Sequence, residues 1–442
     1  MICPMDVDVV VIGMGPGGEE VAGSLAEAGL SVVGIEDRLV GGECPYWGCI
    51  PSKAMVRAAD VLAEGRRIPG LAGTATIEAG WAPVAERVAE VTAAWDDRAA
   101  VERFTGKGGR LIRGKGRISG TGEVTVGDQV IRARRGIVVA TGTAPAVPPI
   151  DGLAGTPYWT NREAIETKEL PESLIVLGGG AIGCELAQVF ARFGSRVTVV
   201  EAGPRLLSLE EPESSDLLMK TFGHEGIEVR LDAKAERIRH DAGGFVVNDD
   251  LRAERLLVAI GRRTNLRGLG LGAVGLDEAA RFVDVDDRLR AADGVWAVGD
   301  VTGKGAFTHV SVYQARIATR AILGEDGPPA DYRALPRVTF TDPEIGAVGL
   351  TESQAREQGL DVRVYNTDLA NNTRGWLHHA EGFIKLIESE GRLVGGTAAG
   401  PMGGEILGAL AVAVHGEVPV ERLRHMMYAF PTFHRALDAA LL

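Results

Sequence analysis

The chain has 442 residues, 45% hydrophobic and 24% charged, an ordinary globular composition that allows roughly three domains at about 150 residues each. Its net charge of −13 disfavours nucleic acid or an anionic membrane as partner. With four cysteines, Cys3, Cys44, Cys49 and Cys184, there is no extracellular disulfide framework. Met1 to Asp6 carry neither a basic region nor a signal-like core. The most apolar late run, Ile406 to Val414, is far too short to span a bilayer. The expectation is a cytoplasmic protein acting on a small molecule.

The chain opens on a buried strand, Val9 to Ile12, which runs into Gly13-Met14-Gly15-Pro16-Gly17-Gly18 and a helix expected from Glu19 to Ala28. A second strand, Ser31 to Ile35, ends on Glu36. That is the logic of a dinucleotide site. Gly13 allows the tight turn, Gly15 lets a pyrophosphate approach the backbone, Gly18 lets helix and strand pack, and Glu36 accepts from a ribose hydroxyl.

Next comes Gly41-Gly42-Glu43-Cys44-Pro45-Tyr46-Trp47-Gly48-Cys49-Ile50-Pro51-Ser52-Lys53. A thiol at a helix N-terminus lies in the positive end of the dipole, which favours its thiolate. A second thiol in the same short loop can close a reversible disulfide with it, a two-electron store. A metal knuckle lacks its remaining ligands, since no second Cys or Cys/His pair is present, so no metal is expected. A structural staple is out of place in an intracellular chain. Lys53 follows Cys49 by four residues and shares its helix face.

Beyond Lys53 the pattern predicts a helix through Ala63, a loop from Gly65 to Gly73 containing Pro69, and one long helix from Val84 to Phe104. Trp81 and Trp95 read as packing residues. Arg110 to Ile131 shows short alternating runs with glycines, predicting a small antiparallel insertion. A buried strand then ends at Thr141-Gly142, and a Pro/Gly-rich connector covers Pro145 to Pro157.

The glycine pattern then recurs. Leu174 to Leu177 is a strand, Gly178-Gly179-Gly180-Ala181-Ile182-Gly183 the turn, Cys184 to Phe193 the helix, and Arg196 to Val200 a strand ending on Glu201. The offset from first glycine to acid is 23 residues in both copies, and a repeat of this kind marks two dinucleotide sites. One nucleotide donates hydride and the other relays it to the disulfide. Glu201 favours NADH, because a carboxylate accepts from a 2′-hydroxyl and repels a 2′-phosphate. Arg205 is the residue able to swing toward such a phosphate. Gly294 to Val298 is a further strand, leading into Gly299-Asp300, and His309 to Leu323 is a helix.

On these motifs the chain resembles the flavoprotein disulfide reductases of the glutathione reductase, lipoamide dehydrogenase and mercuric reductase family, from about Asp8 to the C-terminus. The resemblance implies an α/β architecture of two Rossmann-like dinucleotide-binding domains plus a C-terminal α+β interface domain. Residues 1–150 and 271–330 would bind FAD, 151–270 NAD(H) with NADP(H) as the alternative, and 331–442 would dimerise. It also implies that Cys44 and Cys49 are the redox-active pair, Cys49 facing the flavin as charge-transfer thiol and Cys44 attacking substrate. Lys53, paired with Glu185, would sit near the reactive flavin nitrogen. Thr141 and Gly142 would mark the exit from the FAD domain, and Asp300 would bind the ribityl chain. Val338 to Glu352 resembles the start of the interface domain, implying a homodimer whose C-terminal segments complete the partner's site.

The C-terminus departs from the family pattern. Members of the family end in His-Pro-Thr with a Glu five residues after the His, an acid–base dyad for thiol chemistry. Here Phe430 stands at the His position and Arg435 at the Glu position, with His434 expected a helical turn from Phe430. No cysteine follows Cys184, so the C-terminal pair of mercuric reductases is missing. Between the cysteines, Tyr46 and Trp47 are bulkier than the family's residues and either line the substrate side or pack. The leading expectation is reduction of a disulfide-type substrate of low leaving-group pKa. Two rivals stay open: a quinone or diaphorase-type reductase using the flavin directly, and a redox-sensing protein without turnover.

Overall fold

The computed structural model describes residues 4–442; Cys3 lies outside them. The chain divides into two compact units. One comprises the chain up to Pro51, Arg87–Pro145 and Arg262–Asp331; the other comprises Ser52–Glu86, Ala146–Gly261 and Tyr332–Leu442. No helix among the described residues is long and apolar enough to cross a membrane.

In the first unit, strand Met5–Ile12 is central and parallel to Val32–Glu36 on one side and to Gln129–Val139 on the other. Its second half, Val9–Ile12, is a run of β-branched residues without polar interruption, which suits a strand covered on both faces. Its alternation assigns the faces: Val9 and Val11 join one core with Val21, Leu25 and Ala315, while Val10 and Ile12 join another with Ile35, Ile118 and Ile131. Helices Pro16–Glu27 and Thr308–Leu323 contribute to the first of these cores.

Three expectations need correction here. Arg110–Arg113 is a parallel strand beside Val32–Glu36, so the antiparallel insertion is confined to Gly116–Gly120, Glu123–Val126 and the start of Gln129–Val139. The single helix over 84–104 is broken into Ala82–Val91 and Arg98–Gly106. Ala93, Ala94 and Trp95 between them have positive φ. Tertiary anchoring outweighs helix propensity at this break: the Asp97 carboxylate accepts from the Val40 backbone N–H at 2.7 Å and from Arg113 at 2.5 Å. The loop expected at 65–73 is instead the end of a helix running Cys49–Leu71, with Pro69 inside it. Gly65 serves packing there, since a Cβ would lie 2.3 Å from Ile77 Cδ1.

The second unit contains a parallel sheet in the order Glu228–Arg230, Arg196–Val200, Ser173–Leu177, Arg255–Val258. Helix Ala181–Phe193 packs with it, and Phe190 and Phe193 receive the Trp81 ring, stacked at 5.0 Å and edge-on at 5.2 Å. A five-stranded antiparallel sheet, Pro336–Thr339, Glu344–Gly349, Arg392–Gly400, Phe383–Ser389 and Arg363–Asp368, packs against helix Gly403–His415 through Leu407, Leu410 and Val414.

A buried charge cluster ties these elements together. The Arg192 guanidinium, 2% exposed, pairs with Asp60 at 2.7 Å, Glu225 at 2.7 Å and Asp342 at 2.8 Å. Burial pushes the Asp60 carboxyl up to about 6; Arg192 pulls against it, and Asp342 and Glu344 push the same way as burial. The folded chain therefore holds this proton more tightly than the unfolded chain does. The stability it gives is full below the ordinary carboxylate range and is lost as pH rises through about 6. Denaturant midpoints of the wild type should fall across that window, and Asp60→Asn should flatten the fall. An unchanged pH slope in the variant contradicts the assignment.

Candidate active site

The two glycine loops separate into positions the protein needs for itself and positions it does not. Gly13 has φ +96°, and a Cβ there would lie 2.4 Å from the Ala140 carbonyl oxygen; on Gly18 it would lie 1.9 Å from the Gly13 oxygen. Gly178, at φ +108°, and Gly183 repeat this, at 2.5 Å from Ala259 O and 2.0 Å from Gly178 O. The middle glycines differ. Gly15 has φ −71° and only Gly42 Cα, at 3.9 Å, near a Cβ; Gly180 has φ −79° and nothing within 4 Å. Open space above helices Pro16–Glu27 and Ala181–Phe193, at their electropositive ends, suits a pyrophosphate.

The acids of the two loops match atom for atom. Glu36 accepts from the backbone N–H of Met14 at 2.8 Å and of Arg38 at 2.9 Å. Glu201 accepts from Gly179 at 2.6 Å and Gly203 at 2.7 Å. A carboxylate has about four acceptor sites, so each retains capacity for a ribose diol. Burial raises the Glu36 carboxyl above its ordinary range, against the pull of the two N–H donors.

Near the first loop, the Thr141 hydroxyl is buried with no protein partner. Gly142, at φ +61°, has open space where a Cβ would be. Asp300 follows Gly299, at φ +82°, and accepts from the Thr143 hydroxyl at 2.5 Å through one oxygen. An orphaned buried hydroxyl, a carboxylate with spare capacity and an open glycine loop fit a flavin dinucleotide, which Gly13, Gly15, Gly18, Glu36, Thr141 and Asp300 would hold.

The thiols are brought together by Gly48. Cys44 belongs to the short helix Glu43–Trp47 and Cys49 opens helix Cys49–Leu71. A Cβ on Gly48 would lie 3.0 Å from Glu43 O and 3.3 Å from Cys44 Cα, so a side chain there would push the two segments apart by a few tenths of an ångström. The two sulfurs are held as hydrogen-bonded thiols, and Cys49 Sγ lies 3.4 Å from Thr308 Oγ1. The hydrogen bond to Cys49 pushes the Cys44 thiol well above its ordinary range, with burial and the charge of Cys49 adding to it.

Of the bulky residues between the cysteines, Tyr46 packs: it is 5% exposed and its hydroxyl donates to Val40 O at 3.1 Å. The Trp47 ring is half-buried, 5.9 Å from that of Tyr46. In the second unit, Lys53 Nζ lies 2.7 Å from Glu185 Oε2, while Oε1 accepts from the Phe340 backbone N–H at 2.9 Å. Lys53 Nζ is also 4.6 Å from the Phe340 ring centroid.

The C-terminal segment is a turn, which corrects the expected helical turn between Phe430 and His434; the helix begins only at Ala436 and ends at Leu441. Phe433 plugs the core beneath it, edge-on to His378 at 5.2 Å. Phe430 is 64% exposed with the Arg435 guanidinium 5.1 Å from its ring centroid. Arg435 also pairs with Asp438 at 3.9 Å, and His434 lies 6.1 Å from the Tyr428 ring. Sequence reasoning missed Glu43, Thr143 and Arg262. Glu43 lies inside the cysteine stretch and Thr143 next to Thr141-Gly142, yet both pair with Arg262 only through tertiary structure.

Two dinucleotide loops and a dithiol in one chain define a nucleotide-dependent redox enzyme. Residues 7–315 match the pyridine nucleotide-disulphide oxidoreductase family and residues 335–441 its dimerisation domain. The chain is 36% identical to the dihydrolipoyl dehydrogenase of Chlorobaculum tepidum, over 98% of this chain and 96% of that one. It is 33% identical to the mercuric reductase of Acidithiobacillus ferrooxidans, over 98% and 82%. Its structure is similar to LpdA from Mycobacterium tuberculosis, with TM-score 0.87, 28% identity, and 98% and 99% of the two chains covered. It is similar also to the HOCl-induced flavoprotein disulfide reductase RclA from Escherichia coli, with TM-score 0.87, 30% identity, and 98% and 99% covered. The chain belongs to the pyridine nucleotide-disulphide oxidoreductase family, and is an α/β flavoprotein oxidoreductase that uses FAD and NAD(P)H.

The glycine geometry gives a paired test. Gly180→Val should raise KM for the nicotinamide cofactor about tenfold or more, at an unchanged denaturation midpoint. Gly183→Val should destabilise by about 1–3 kcal/mol through overpacking. Equal destabilisation by both changes contradicts the division of roles.

Proposed function

We propose that this chain is an NADH-preferring flavoprotein that reduces a disulfide-type acceptor of low leaving-group pKa through Cys44 and Cys49. The observation that carries this reading is the contact between Phe430 and Arg435 at the two dyad positions. A phenyl ring has no proton to give, and a guanidinium holds its proton at any working pH. Expelling an alkyl thiolate without a positioned acid forgoes about 10²–10⁴-fold in rate. A thiolate of low pKa leaves without that help.

Bound FAD supplies the two-electron relay between NADH and the Cys44–Cys49 disulfide. The remaining steps belong to the chain. Lys53, anchored by Glu185, stays fixed on its helix face. In the reduced pair, Cys49 first gives its own proton to solvent; its thiolate then takes the proton of Cys44 along their hydrogen bond, and the Cys44 sulfur attacks one sulfur of the acceptor, expelling the other as thiolate. Cys49, giving its proton to solvent, then attacks the Cys44 sulfur. That restores the disulfide and releases the second thiolate. The balance is one acceptor disulfide reduced for one dithiol oxidised.

The same reading assigns 1–150 and 271–330 to FAD, 151–270 to the nicotinamide cofactor, and 331–442 to a homodimer contact, as the dimerisation-domain match supports. The preference for NADH is supported by Glu201 and by the surroundings of Arg205. That guanidinium donates to the carbonyls of Glu210 and Ser208, both at 2.7 Å, and of Leu207 at 3.5 Å. Swinging toward a 2′-phosphate would strand all three. NADH should therefore exceed NADPH in kcat/KM by at least about tenfold, since like-charge contacts of this kind cost several kcal/mol; equal efficiencies contradict the assignment.

Steady-state NADH oxidation by an electron-poor aryl disulfide, lipoamide and a quinone, in wild type and Cys44→Ser, tests the acceptor class. The expected result is fast turnover of the aryl disulfide, lost in the variant. Full turnover retained in Cys44→Ser supports direct transfer from the flavin instead, and no turnover with any acceptor supports a sensor.

A further inference from the structure

A polar chain inside the first unit joins the redox loop to Asp300. Arg262 Nη2 lies 3.3 Å from the carboxylate of Glu43, the first residue of the short helix that carries Cys44. The same nitrogen donates to the Thr143 carbonyl at 3.0 Å, and Nε donates to the Thr143 hydroxyl at 2.7 Å. The hydroxyl in turn donates to Asp300 Oδ2 at 2.5 Å. Strand Arg262–Thr264 is paired antiparallel with Thr143–Pro145, Arg263 opposite Ala144, so the backbones at both ends of the contact are fixed.

We infer that Arg262 is a positioning residue that holds Asp300 and the Cys44 helix in one arrangement, through Thr143 and Glu43. The inference rests on the reading that Asp300 binds the ribityl chain of FAD. A hydroxyl has one proton. Because Thr143 Oγ1 accepts from Arg262, its own proton goes to Asp300, which commits Oδ2 and leaves Oδ1 to the ligand. Thr143 is buried, so no solvent path readily replaces this bond. The guanidinium donates to two oxygens of Thr143 from two nitrogens while it pairs with the Glu43 carboxylate, and a lysine ammonium, one point charge on a flexible stem, does not reproduce that set. Loss of Arg262 should therefore disturb both ends of the chain at once, FAD retention at Asp300 and thiol–flavin geometry at the cysteine loop.

The test uses holoenzyme of Arg262→Lys, Thr143→Val, the double variant and Asp300→Ala. FAD release is followed by fluorescence, and the long-wavelength thiolate-to-flavin absorption is recorded after addition of NADH. Arg262→Lys and Thr143→Val should each release FAD about ten- to a hundredfold faster, as expected for a lost charge-assisted hydrogen bond, and should weaken or shift the band. The double variant should be no worse than the poorer single one, because both break the same chain. If Arg262→Lys fails to fold, Thr143→Val, which keeps the side-chain shape, decides the matter on the same two readouts. Release and band unchanged in Arg262→Lys or Thr143→Val, with Asp300→Ala losing FAD, overturn the positioning role alone. Wild-type retention in Asp300→Ala overturns the reading of Asp300 beneath it.

Discussion

Two thiols hydrogen-bonded to each other share a proton, and neither is independent of the other's charge. In this chain that coupling follows from a glycine at 48, which lets Cys44 and Cys49 meet across the junction of two helices. The Cys44 thiol is pushed up by its bond to Cys49, and Cys49 opens the longer helix, whose N-terminal dipole favours a thiolate. The rest of the first unit serves the loop by fixing its surroundings: Tyr46 anchors it to Val40, and Glu43 reaches Arg262.

Much of the fold was legible because its signals are local. The run Val9 to Ile12, the glycine spacing and the terminal acid all lie within a few dozen residues of each other, and the repeat at 178–201 doubles the signal. The structure adds why the repeat is so regular: each acid ties the residue after the first glycine to the residue two beyond itself. Where tertiary contacts overrule local preference, the sequence misled. Residues 84–104 have helical composition throughout, and the break at Ala93–Trp95 follows from the bonds of Asp97 to Val40 and Arg113, which no local pattern announces. The same holds for Gly65, a packing glycine that reads as a helix end.

The candidate site divides in the same way. The cysteines and glycines carry their chemistry in their spacing. Arg262 and Thr143 do not, because each lies in a three-residue strand of no evident distinction, 119 positions apart. The C-terminal segment was misjudged in shape. It is a turn pinned by buried Phe433, and Arg435 lies over the Phe430 ring.

The central claim is that electrons reach the Cys44–Cys49 pair without hindrance and that only the delivery of a proton to a basic leaving group is impaired. Stopped-flow spectroscopy with the half-reactions separated tests it most directly: reduction by NADH alone, then reoxidation of the dithiol by lipoamide and by an electron-poor aryl disulfide. The account predicts fast reduction, fast reoxidation by the aryl disulfide, and reoxidation by lipoamide slower by about 10²–10⁴-fold, partly recovered in Phe430→His with Arg435→Glu. Brisk reoxidation by lipoamide in the wild-type protein would contradict it and would assign the proton to another residue, His434 first.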